Sequence, residues 1–209
     1  MGEKLISHYF SDTPPAKPSP RSKINFSFKG QLLTFWTSPG VFSPTQIDAG
    51  TRIFLDYADL PTGGNFLDVG AGYGVIGIVI LLVQSEYPLI AAFIENNPVA
   101  GALIKKNLVE NHCPKSEIIV ANFLDYQFSA QFDHVVCNPP LKRGLGYVEQ
   151  MFAKVATLLK PGGSFQFVAK THLGAKRLRD YLASPSLSFA KVYEKKIKSG
   201  YRVIKAEYS

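Results

Sequence analysis

The sequence predicts an α/β fold: a doubly wound, seven-stranded, mostly parallel sheet with an antiparallel last strand, preceded by an N-terminal arm and a β-hairpin. Two observations support this class. From residue 65 onward, short apolar strands alternate with segments of helical periodicity, which is typical of a parallel sheet covered by helices on both faces. The last two predicted strands are separated by a turn at Ser199-Gly200 with no helix between them, so the final strand is expected to run antiparallel. A chain of 209 residues can bury the core of one such domain.

The N-terminal part of the chain differs from the remainder. Residues 12–20 are rich in proline and lack apolar periodicity, which predicts an extended arm. Residues 24–28 and 32–36 alternate in polarity around Lys29-Gly30-Gln31, which predicts a β-hairpin. We therefore divide the chain into residues 1–44, with the arm and the hairpin, and residues 45–209, the main domain.

The main domain is predicted to contain seven strands and five helices. The strands cover residues 66–70, 89–94, 118–120, 134–137, 164–169, 188–193 and 201–206. The helices cover residues 45–60, 75–85, 98–110, 148–159 and 175–182. Pro98 suits the first turn of the predicted helix 98–110, and Lys160-Pro-Gly-Gly163 is expected to end the predicted helix 148–159.

Composition excludes several classes of protein. Apolar residues make up 46% of the chain and charged residues 19%, a balance typical of a folded protein. Cys113 and Cys137 are too few for a disulfide framework, and the longest aliphatic run, residues 75–83, is too short to span a bilayer. Because nothing at the N-terminus resembles a signal peptide, we expect a cytoplasmic protein without membrane association. The four histidines lack metal-ligand spacing, so no metal is expected.

The net charge of +7 is confined to the C-terminal fifth of the chain. Residues 1–169 carry 13 basic and 13 acidic residues, whereas residues 170–209 carry ten basic residues against three acidic ones. This asymmetry favours a polyanionic partner, with nucleic acid first. A solvated basic face would give the same pattern, and charge alone does not separate the two interpretations.

A glycine-rich turn, Asp68-Val-Gly70-Ala-Gly72-Tyr-Gly74, lies between a predicted strand and a predicted helix. Glycines allow the backbone to turn tightly and approach a ligand, and the helix N-terminus offers free amide donors. Val75 stands where a dinucleotide-binding fingerprint has its third glycine, and no Gly-Lys-Ser/Thr of a P-loop follows. The turn is either a cofactor site of another class or a packing device.

Glu95 ends the next predicted strand, about twenty residues after the glycines. An acid at this place can accept hydrogen bonds from both ribose hydroxyls of a bound nucleoside. It could instead simply lie favourably near the N-terminus of the following helix. Beside the glycine turn, ribose binding is the preferred interpretation.

The tetrapeptide Asn138-Pro-Pro-Leu141 follows the fourth strand of the main domain, at the edge where open α/β sheets bind ligands. The residue before a proline is held extended, and two prolines restrict the backbone that follows. The side chain of Asn138 and the carbonyl of Pro139 should therefore point into the crevice. Both are acceptors, so together they could bind the two hydrogens of a planar amino group. In isolation, the same residues would predict only a turn.

Together, these motifs resemble the class I S-adenosylmethionine-dependent methyltransferases of the small-domain type, a family that includes ribosomal RNA guanine-N2 methyltransferases. The resemblance covers nearly the whole chain and rests on Gly40-Val-Phe-Ser43, Asp48-Ala-Gly-Thr51, residues 67–74 and Asn138-Pro-Pro-Leu141. It implies a Rossmann-like methyltransferase sheet, S-adenosylmethionine as the cofactor and methyl transfer onto a planar nitrogen. The acceptor implied first is guanine N2 in ribosomal RNA. We expect a monomer or a weak homodimer.

The resemblance also implies roles for the cofactor-binding residues. Three glycines of the turn would face the methionine part of the cofactor: Gly70, Gly72 and Gly74. Asp68 would lie beneath the amino acid moiety, and Glu95 would bind the ribose. Asn122 would hydrogen-bond the adenine and Phe123 would pack on it, although the family more often has aspartate before that hydrophobic residue.

For methyl transfer, the resemblance assigns the catalytic role to Asn138 and Pro139. Four residues that follow would meet the acceptor: Pro140, Leu141, Lys142 and Arg143. Leu141 stands where adenine-N6 and glutamine-modifying relatives have an aromatic residue that stacks on the target, which favours guanine N2. Lys142 and Arg143 could meet a phosphate beside the target or could be plain surface.

Two other functions stay open. The same chemistry could serve adenine N6 in nucleic acid or a protein glutamine, and a nucleic-acid-binding protein could keep the fold without turnover. The intact glycine turn and Asn138-Pro-Pro argue against the last of these, and the basic final forty residues argue against a small-molecule acceptor. Within that basic segment, Lys195, Lys196 and Lys198 are expected to contact RNA phosphates.

Overall fold

A computed structural model describes residues 22–83 and 88–209. The predicted arm and the last two residues of the predicted helix 75–85 lie outside the described residues. The described strands are β1 (Ser22–Phe28), β2 (Gln31–Thr37), β3 (Gly64–Val69), β4 (Leu89–Glu95), β5 (Glu117–Val120), β6 (Phe132–Cys137), β7 (Leu159–Lys170), β8 (Phe189–Lys198) and β9 (Tyr201–Tyr208). The described α-helices are α1 (Ala49–Tyr57), α2 (Val75–Val83), α3 (Pro98–Glu110), α4 (Leu145–Leu158) and α5 (Ala175–Leu182). None of these helices is long and apolar enough to cross a membrane.

Seven strands form one sheet in the order β5-β4-β3-β6-β7-β9-β8. β9 runs antiparallel to both of its neighbours, and all other neighbouring pairs in this sheet are parallel. This arrangement confirms the predicted doubly wound sheet with its antiparallel last strand. The chain moves outward from β3 to β5 and then returns to β6 on the other side of β3. The carboxyl ends of β3 and β6 therefore flank the switch point, where such sheets bind ligands.

Each face of the sheet has its own apolar core, because successive side chains of a strand point to opposite faces. Phe66 and Phe93 belong to the core that the sheet shares with α1, α2 and α3. Leu67, Ile94 and Phe152 belong to the core on the opposite face, which includes α4 and α5. All five side chains are at most 1% exposed. Burial on both faces explains why the central strands are mostly apolar rather than alternating in polarity.

The hairpin of β1 and β2 is attached to α3 by two asparagine side chains. Asn107 accepts from the Trp36 N–H at 2.7 Å and donates to the carbonyls of Trp36 and Tyr73, at 3.0 and 2.8 Å. Asn111, one turn later, accepts from the Thr34 N–H and donates to the Thr34 carbonyl. Side-chain amides thus pair with the backbone of β2 along its free edge, where another strand would otherwise bond.

Several element boundaries differ from the sequence prediction, the largest difference in a strand start being that of β7, which begins at Leu159 instead of residue 164; two of the others have a clear local cause. The predicted helix 45–60 is shorter in the structure because Asp48 accepts from the Thr51 N–H and forms the N-cap, so the helix begins only after it. Strand β8 is longer than predicted because it pairs with β9 up to Ser199-Gly200, whose φ values of +49° and +77° suit a tight hairpin. The division of the chain after residue 44 stays a prediction.

Candidate active site

Two adjoining cavities lie at the carboxyl ends of the central strands. The larger one has a volume of about 230 Å³ and the smaller one about 40 Å³. Four residues line both cavities: Phe42, Gly70, Gly72 and Asn138. The glycine turn and the Asn-Pro-Pro segment, which are far apart in the sequence, therefore meet at the switch point of the sheet.

Most of the residues predicted from the sequence line one of these cavities. Those that do are Asp68, Gly70, Gly72, Glu95, Asn122, Phe123, Asn138, Pro139, Pro140 and Arg143. Those that line neither cavity are Gly74, Leu141 and Lys142. The roles of all these residues in binding and catalysis stay predictions, but the structure brings most of the set together.

The glycine turn is open where a ligand could approach it. Gly70 and Gly72 have φ values of +68° and +58°, in the left-handed region that favours glycine. A Cβ atom at either position would meet nothing within 4 Å. At Gly74, by contrast, a Cβ atom would lie 3.1 Å from Cδ1 of Ile78 and 3.5 Å from Ile104. Gly70 and Gly72 thus leave space for a ligand, whereas Gly74 permits close packing of α2 and α3.

The carboxylate of Glu95 is oriented by two backbone amides. Its Oε2 accepts from the Gly72 N–H at 2.8 Å, and its Oε1 accepts from the Asn97 N–H at 2.9 Å. The first contact joins the end of β4 to the glycine turn. Each oxygen keeps a further lone pair, so a carboxylate that lines the larger cavity can still accept hydrogen bonds from a vicinal diol.

Asp68 lines the smaller cavity and is 1% exposed. Its Oδ2 accepts from the Gly77 N–H in the first turn of α2, at 2.9 Å. Burial raises the pKa of Asp68 to about 7; the hydrogen bond from Gly77 opposes this rise, and the nearby charge of Glu95 adds to it. A positively charged group in the smaller cavity would therefore favour ionisation of this carboxyl.

The loop after β5 forms an apolar wall of the larger cavity. Phe123 is buried, and Lys154 fixes this loop by donating to two of its carbonyls. Asn122 uses its side chain inside the same loop, where its Nδ2 donates to Asp125 at 2.6 Å and its Oδ1 accepts from the Leu124 N–H. The predicted bond from Asn122 to adenine would have to use what remains of that hydrogen-bonding capacity.

Arg143 and Tyr147 also line the larger cavity, and the Tyr147 hydroxyl donates to Oδ1 of Asn122 at 3.4 Å. The guanidinium carbon of Arg143 lies 3.9 Å from the centroid of the Tyr147 ring, and its Nη1 donates to the tyrosine hydroxyl at 2.9 Å. Arg143 is exposed. It keeps further N–H donors beside the cavity, from which a phosphate could accept.

The side chain of Asn138 is oriented by two residues near the start of α1. Its Nδ2 donates to Oδ2 of Asp48 at 3.1 Å and to Oγ1 of Thr51 at 3.0 Å. An ionised carboxylate only accepts hydrogen bonds, so the NH₂ end of the amide must face Asp48. The Oδ1 atom of Asn138 is then left for a ligand in the cavity. The sequence motif Asp48-Ala-Gly-Thr51 was part of the family resemblance, but its contact with Asn138 follows only from the structure.

The backbone after Asn138 forms a tight turn. The carbonyl of Pro139 accepts from the Leu141 N–H at 2.8 Å, which fixes its direction and leaves one lone pair. Leu141 packs against the apolar core on the α4 face of the sheet, and Lys142 is exposed outside both cavities. Leu141, which stands where adenine-N6 and glutamine-modifying relatives are expected to have an aromatic residue, is thus partly buried and lines neither cavity.

Phe42 is a lining residue for which sequence reasoning proposed no role. Its side chain is 61% exposed, although it lines both cavities. The backbone on either side is fixed: Asn97 Nδ2 donates to the Gly40 carbonyl at 3.0 Å, and the Tyr73 hydroxyl donates to the Ser43 carbonyl at 3.2 Å. An exposed aromatic ring at the junction of two cavities, on a segment bonded at both ends, offers a surface on which a flat ligand could stack.

These features fit an S-adenosylmethionine molecule. The open glycine turn leaves space for the methionine part, and the carboxylate of Glu95 suits the ribose hydroxyls. The apolar wall at Phe123 suits the adenine ring. The buried carboxyl of Asp68 lies where a cationic ligand would be stabilised. Within the described residues, no group of three or more histidine, cysteine or carboxylate side chains could hold a metal ion.

Fold and site together define the chain as an S-adenosylmethionine-dependent methyltransferase of the doubly wound type. A family model described as the methyltransferase small domain matches residues 32–205, and the chain belongs to this family. The resemblance found in the sequence, and S-adenosylmethionine as the cofactor, are thereby confirmed.

Individual relatives are consistent with this assignment. The protein YbxB of Bacillus subtilis (strain 168) is 31% identical over 205 residues, which cover 97% of this chain and 99% of YbxB. Ribosomal RNA small subunit methyltransferase C of Photorhabdus laumondii is 32% identical over 160 residues, which cover 74% of this chain and 46% of that protein.

A similar fold occurs in the 16S rRNA N2-guanine methyltransferase RsmC of T. thermophilus, solved in complex with AdoMet and guanosine. It superposes with a TM-score of 0.77 at 24% identity, over 92% of this chain and 52% of that one. The chain thus spans about half the length of the two ribosomal RNA methyltransferases that it resembles.

Proposed function

We propose that this enzyme transfers the methyl group of S-adenosylmethionine to the exocyclic N2 of a guanine in ribosomal RNA. The observation that carries the proposal is the orientation of Asn138. Its amide nitrogen is engaged by Asp48 and Thr51, so its free atom is the acceptor Oδ1. A site with acceptors at Asn138 and at the Pro139 carbonyl suits the two N–H groups of a primary aryl amine. The similarity to ribosomal RNA methyltransferases, one of them solved with guanosine, supports guanine as the acceptor.

The cofactor would be held by residues of the glycine turn, of β3 and β4, and of the loop after β5. Gly70 and Gly72 would lie against its methionine part, with Asp68 beneath its amino group. Glu95 would accept from the ribose hydroxyls, and Phe123 would pack against the adenine. When bound, the cofactor supplies a methyl group that its sulfonium makes electrophilic.

The residues of the chain contribute position rather than acid–base chemistry. Hydrogen bonds from both amine hydrogens to Asn138 and Pro139 would aim the nitrogen lone pair at the methyl group. Holding two reactants in line can contribute roughly 7–11 kcal/mol to lowering a barrier. No strong base is required, because the nitrogen becomes acidic once it is methylated and its proton can pass to water.

The acceptor base would stack on Phe42. This ring lies at the junction of the two cavities and is 61% exposed, whereas Leu141 packs, partly buried, against the core and lines neither cavity. A base inside folded RNA must be unstacked to reach such a site, at a cost of a few kcal/mol. Stacking on an aromatic side chain recovers about 1–3 kcal/mol per base, which offsets part of this cost.

The test is methylation of RNA by the purified protein with isotopically labelled S-adenosylmethionine, followed by mass analysis of the nucleosides. Ribosomal RNA from a strain that lacks the gene is the substrate, and RNA from the parent strain is the control. We expect label in N2-methylguanosine with the first RNA and little label with the second. Label in N6-methyladenosine, or in protein glutamine when ribosomes replace RNA, would show that the acceptor is wrong.

A further inference from the structure

Most of the positive charge of residues 170–209 is neutralised locally. Six of the ten basic residues lie within 4 Å of a carboxylate oxygen: Arg177, Arg179, Lys191, Lys195, Arg202 and Lys205. Within the described residues, four have no carboxylate at this distance: Lys170, Lys176, Lys196 and Lys198. Three of these four, all except Lys176, have their Nζ atoms close to the ring of Tyr57 or Tyr201.

These three lysines form two groups, one around Tyr201 and one around Tyr57, and Lys198 belongs to both. Tyr201 pairs in register with Lys170 on one side and with Lys198 on the other, so three side chains stand in one row across β7, β9 and β8. The Nζ of Lys170 lies 5.4 Å from the Tyr201 ring centroid. On α1, the Tyr57 ring has the Nζ atoms of Lys196 and Lys198 at 4.9 and 5.1 Å, and the Lys198 Nζ donates to its hydroxyl at 2.8 Å.

The group around Tyr201 lies next to the candidate active site. A Cβ atom on Gly50 would lie 2.9 Å from Asp48 Oδ2 and 2.9 Å from Tyr201 Cε1, so the tyrosine lies just across Gly50 from the carboxylate that orients Asn138. β7, which ends at Lys170, is the sheet neighbour of β6, which ends immediately before Asn138. The five residues Lys170, Tyr201, Lys198, Tyr57 and Lys196 therefore form a continuous strip, here called the lysine–tyrosine strip, that leads away from the site.

We propose that the lysine–tyrosine strip binds the single-stranded RNA that flanks the methylated nucleotide. Cations that follow a backbone of phosphates, alternating with aromatic rings on which bases stack, are what single-stranded nucleic acid binding requires. Exposed Lys196 and Lys198 supply the charge, and half-exposed Tyr57 and Tyr201 supply ring surface. This inference rests on the proposed function, because it takes RNA as the methyl acceptor.

Two neighbouring carboxylates, Asp59 and Asp56, reduce the positive charge in and beside the strip. Lys195, which the sequence groups with Lys196 and Lys198, lies 2.7 Å from Asp59 and is thereby neutralised. Asp56 on α1 is exposed, and its charge contributes to the raised pKa of Lys198, which is caused first by the hydrogen bond to Tyr57. Removing the charge of Asp56 should therefore strengthen RNA binding rather than weaken it.

The test compares two double charge reversals in the full chain. Lys196→Glu with Lys198→Glu alters the strip. Lys176→Glu with Lys191→Glu is the matched control, since it changes the net charge equally but lies on α5 and at the far end of β8. The probe is a single-stranded RNA of about 12 nucleotides containing guanine, titrated at several salt concentrations. We expect the strip variant to bind at least tenfold more weakly, with a slope of log affinity against log salt smaller by about 1.4, as for two lost phosphate contacts.

Further variants separate stacking from charge. Tyr57→Leu should weaken RNA binding about five- to tenfold without changing the salt slope, and Asp56→Asn should strengthen it. S-adenosylmethionine affinity, measured in parallel, should be the same for all variants and reports that they are folded. Equal RNA affinities and slopes for the strip and control variants would overturn the proposal. If the parent methylates guanine while the strip variants bind like the control, the strip is wrong but the proposed function stands. If RNA binding depends on the strip but no RNA is methylated, the proposed function is wrong instead.

Discussion

The amide nitrogen of Asn138 lies 3.1 Å from Oδ2 of Asp48, the same oxygen that accepts the Thr51 N–H and begins α1. One carboxylate thus serves both as a helix cap and as the orienting partner of the asparagine that is proposed to bind the acceptor amine. Asp48 and Asn138 are 90 residues apart in the sequence. If the contact matters for catalysis, it should be separable from helix capping.

The first prediction separates these two roles of Asp48. Asp48→Ser keeps a residue that caps helices well but is too short to reach Asn138, and Thr51→Val removes the second partner of the amide. We expect the double variant to lose about tenfold or more in kcat, because the amide can then turn its nitrogen toward the acceptor. Thermal unfolding should change little. Unchanged kcat with intact folding would show that Asn138 does not depend on these contacts.

A second prediction concerns Asn138 itself. Asn138→Ala removes a preoriented acceptor, so methyl transfer should fall by about 10²-fold, the scale for losing one preorganised polar group. S-adenosylmethionine affinity, measured by calorimetry, should be nearly the same as for the parent. Asn122→Ala is a useful comparison, since its side chain bonds inside its own loop and its effect should fall on binding rather than on kcat. Turnover at the parental rate in Asn138→Ala would remove its assigned role.

A third prediction follows from the raised pKa of Asp68. This buried carboxyl keeps its proton up to a pH of about 7 in the folded protein, whereas in the unfolded chain it ionises near pH 4. Between these values the folded state binds more protons than the unfolded chain. The contribution of Asp68 to the free energy of unfolding therefore falls as the pH rises from about 4 to 7, and it is constant above pH 7. The full effect is on the order of 4 kcal/mol. Asp68→Asn should therefore stabilise the free protein at pH 8, as measured by chemical denaturation.

The same carboxyl should couple cofactor binding to proton release. Because the cofactor is cationic near Asp68 in the proposed binding mode, it favours the ionised form, so its affinity should rise with pH through about 7. Calorimetry in buffers of different ionisation enthalpy measures the protons released. We expect release near pH 6.5 in the parent and much less in Asp68→Asn. If the affinity of the parent for S-adenosylmethionine did not change with pH, the positive charge of the cofactor would not lie near Asp68.

A fifth prediction concerns the attachment of the hairpin. Asn107 is fully buried and bonds three backbone groups, two on Trp36 and one on Tyr73. Asn107→Ala leaves these groups without a partner and should destabilise the protein by about 3 kcal/mol or more. Asn111→Ala is the matched comparison: Asn111 is itself only half-buried, whereas Asn107 is fully buried, so water can replace the Asn111 amide more easily and the loss should be smaller. Similar unfolding midpoints for both variants would contradict this account.

Much of the fold was predictable from the sequence because the relevant signals are local. Continuous apolar strands, such as residues 89–94, predict burial on both faces, and Pro98 and the glycine turn mark where helices begin. The motifs Gly70-Ala-Gly72 and Asn138-Pro-Pro were likewise visible, since glycine and proline impose their backbone geometry on any chain that contains them. Together with the family resemblance, these local constraints indicated a methyltransferase and its cofactor.

Only the tertiary structure decided which partners these residues have. Three findings depend on segments that the order of the strands brings together: Asp48 orients Asn138, Phe42 lines both cavities while Leu141 packs against the core outside them, and Asp59 neutralises Lys195. Such contacts join residues far apart in the chain, and no local pattern of polarity or spacing encodes them. The sequence determined which chemical groups are present and which segments become strands and helices. Packing of those segments determined which groups face a ligand, because a side chain already bonded within the protein is no longer free to bind one.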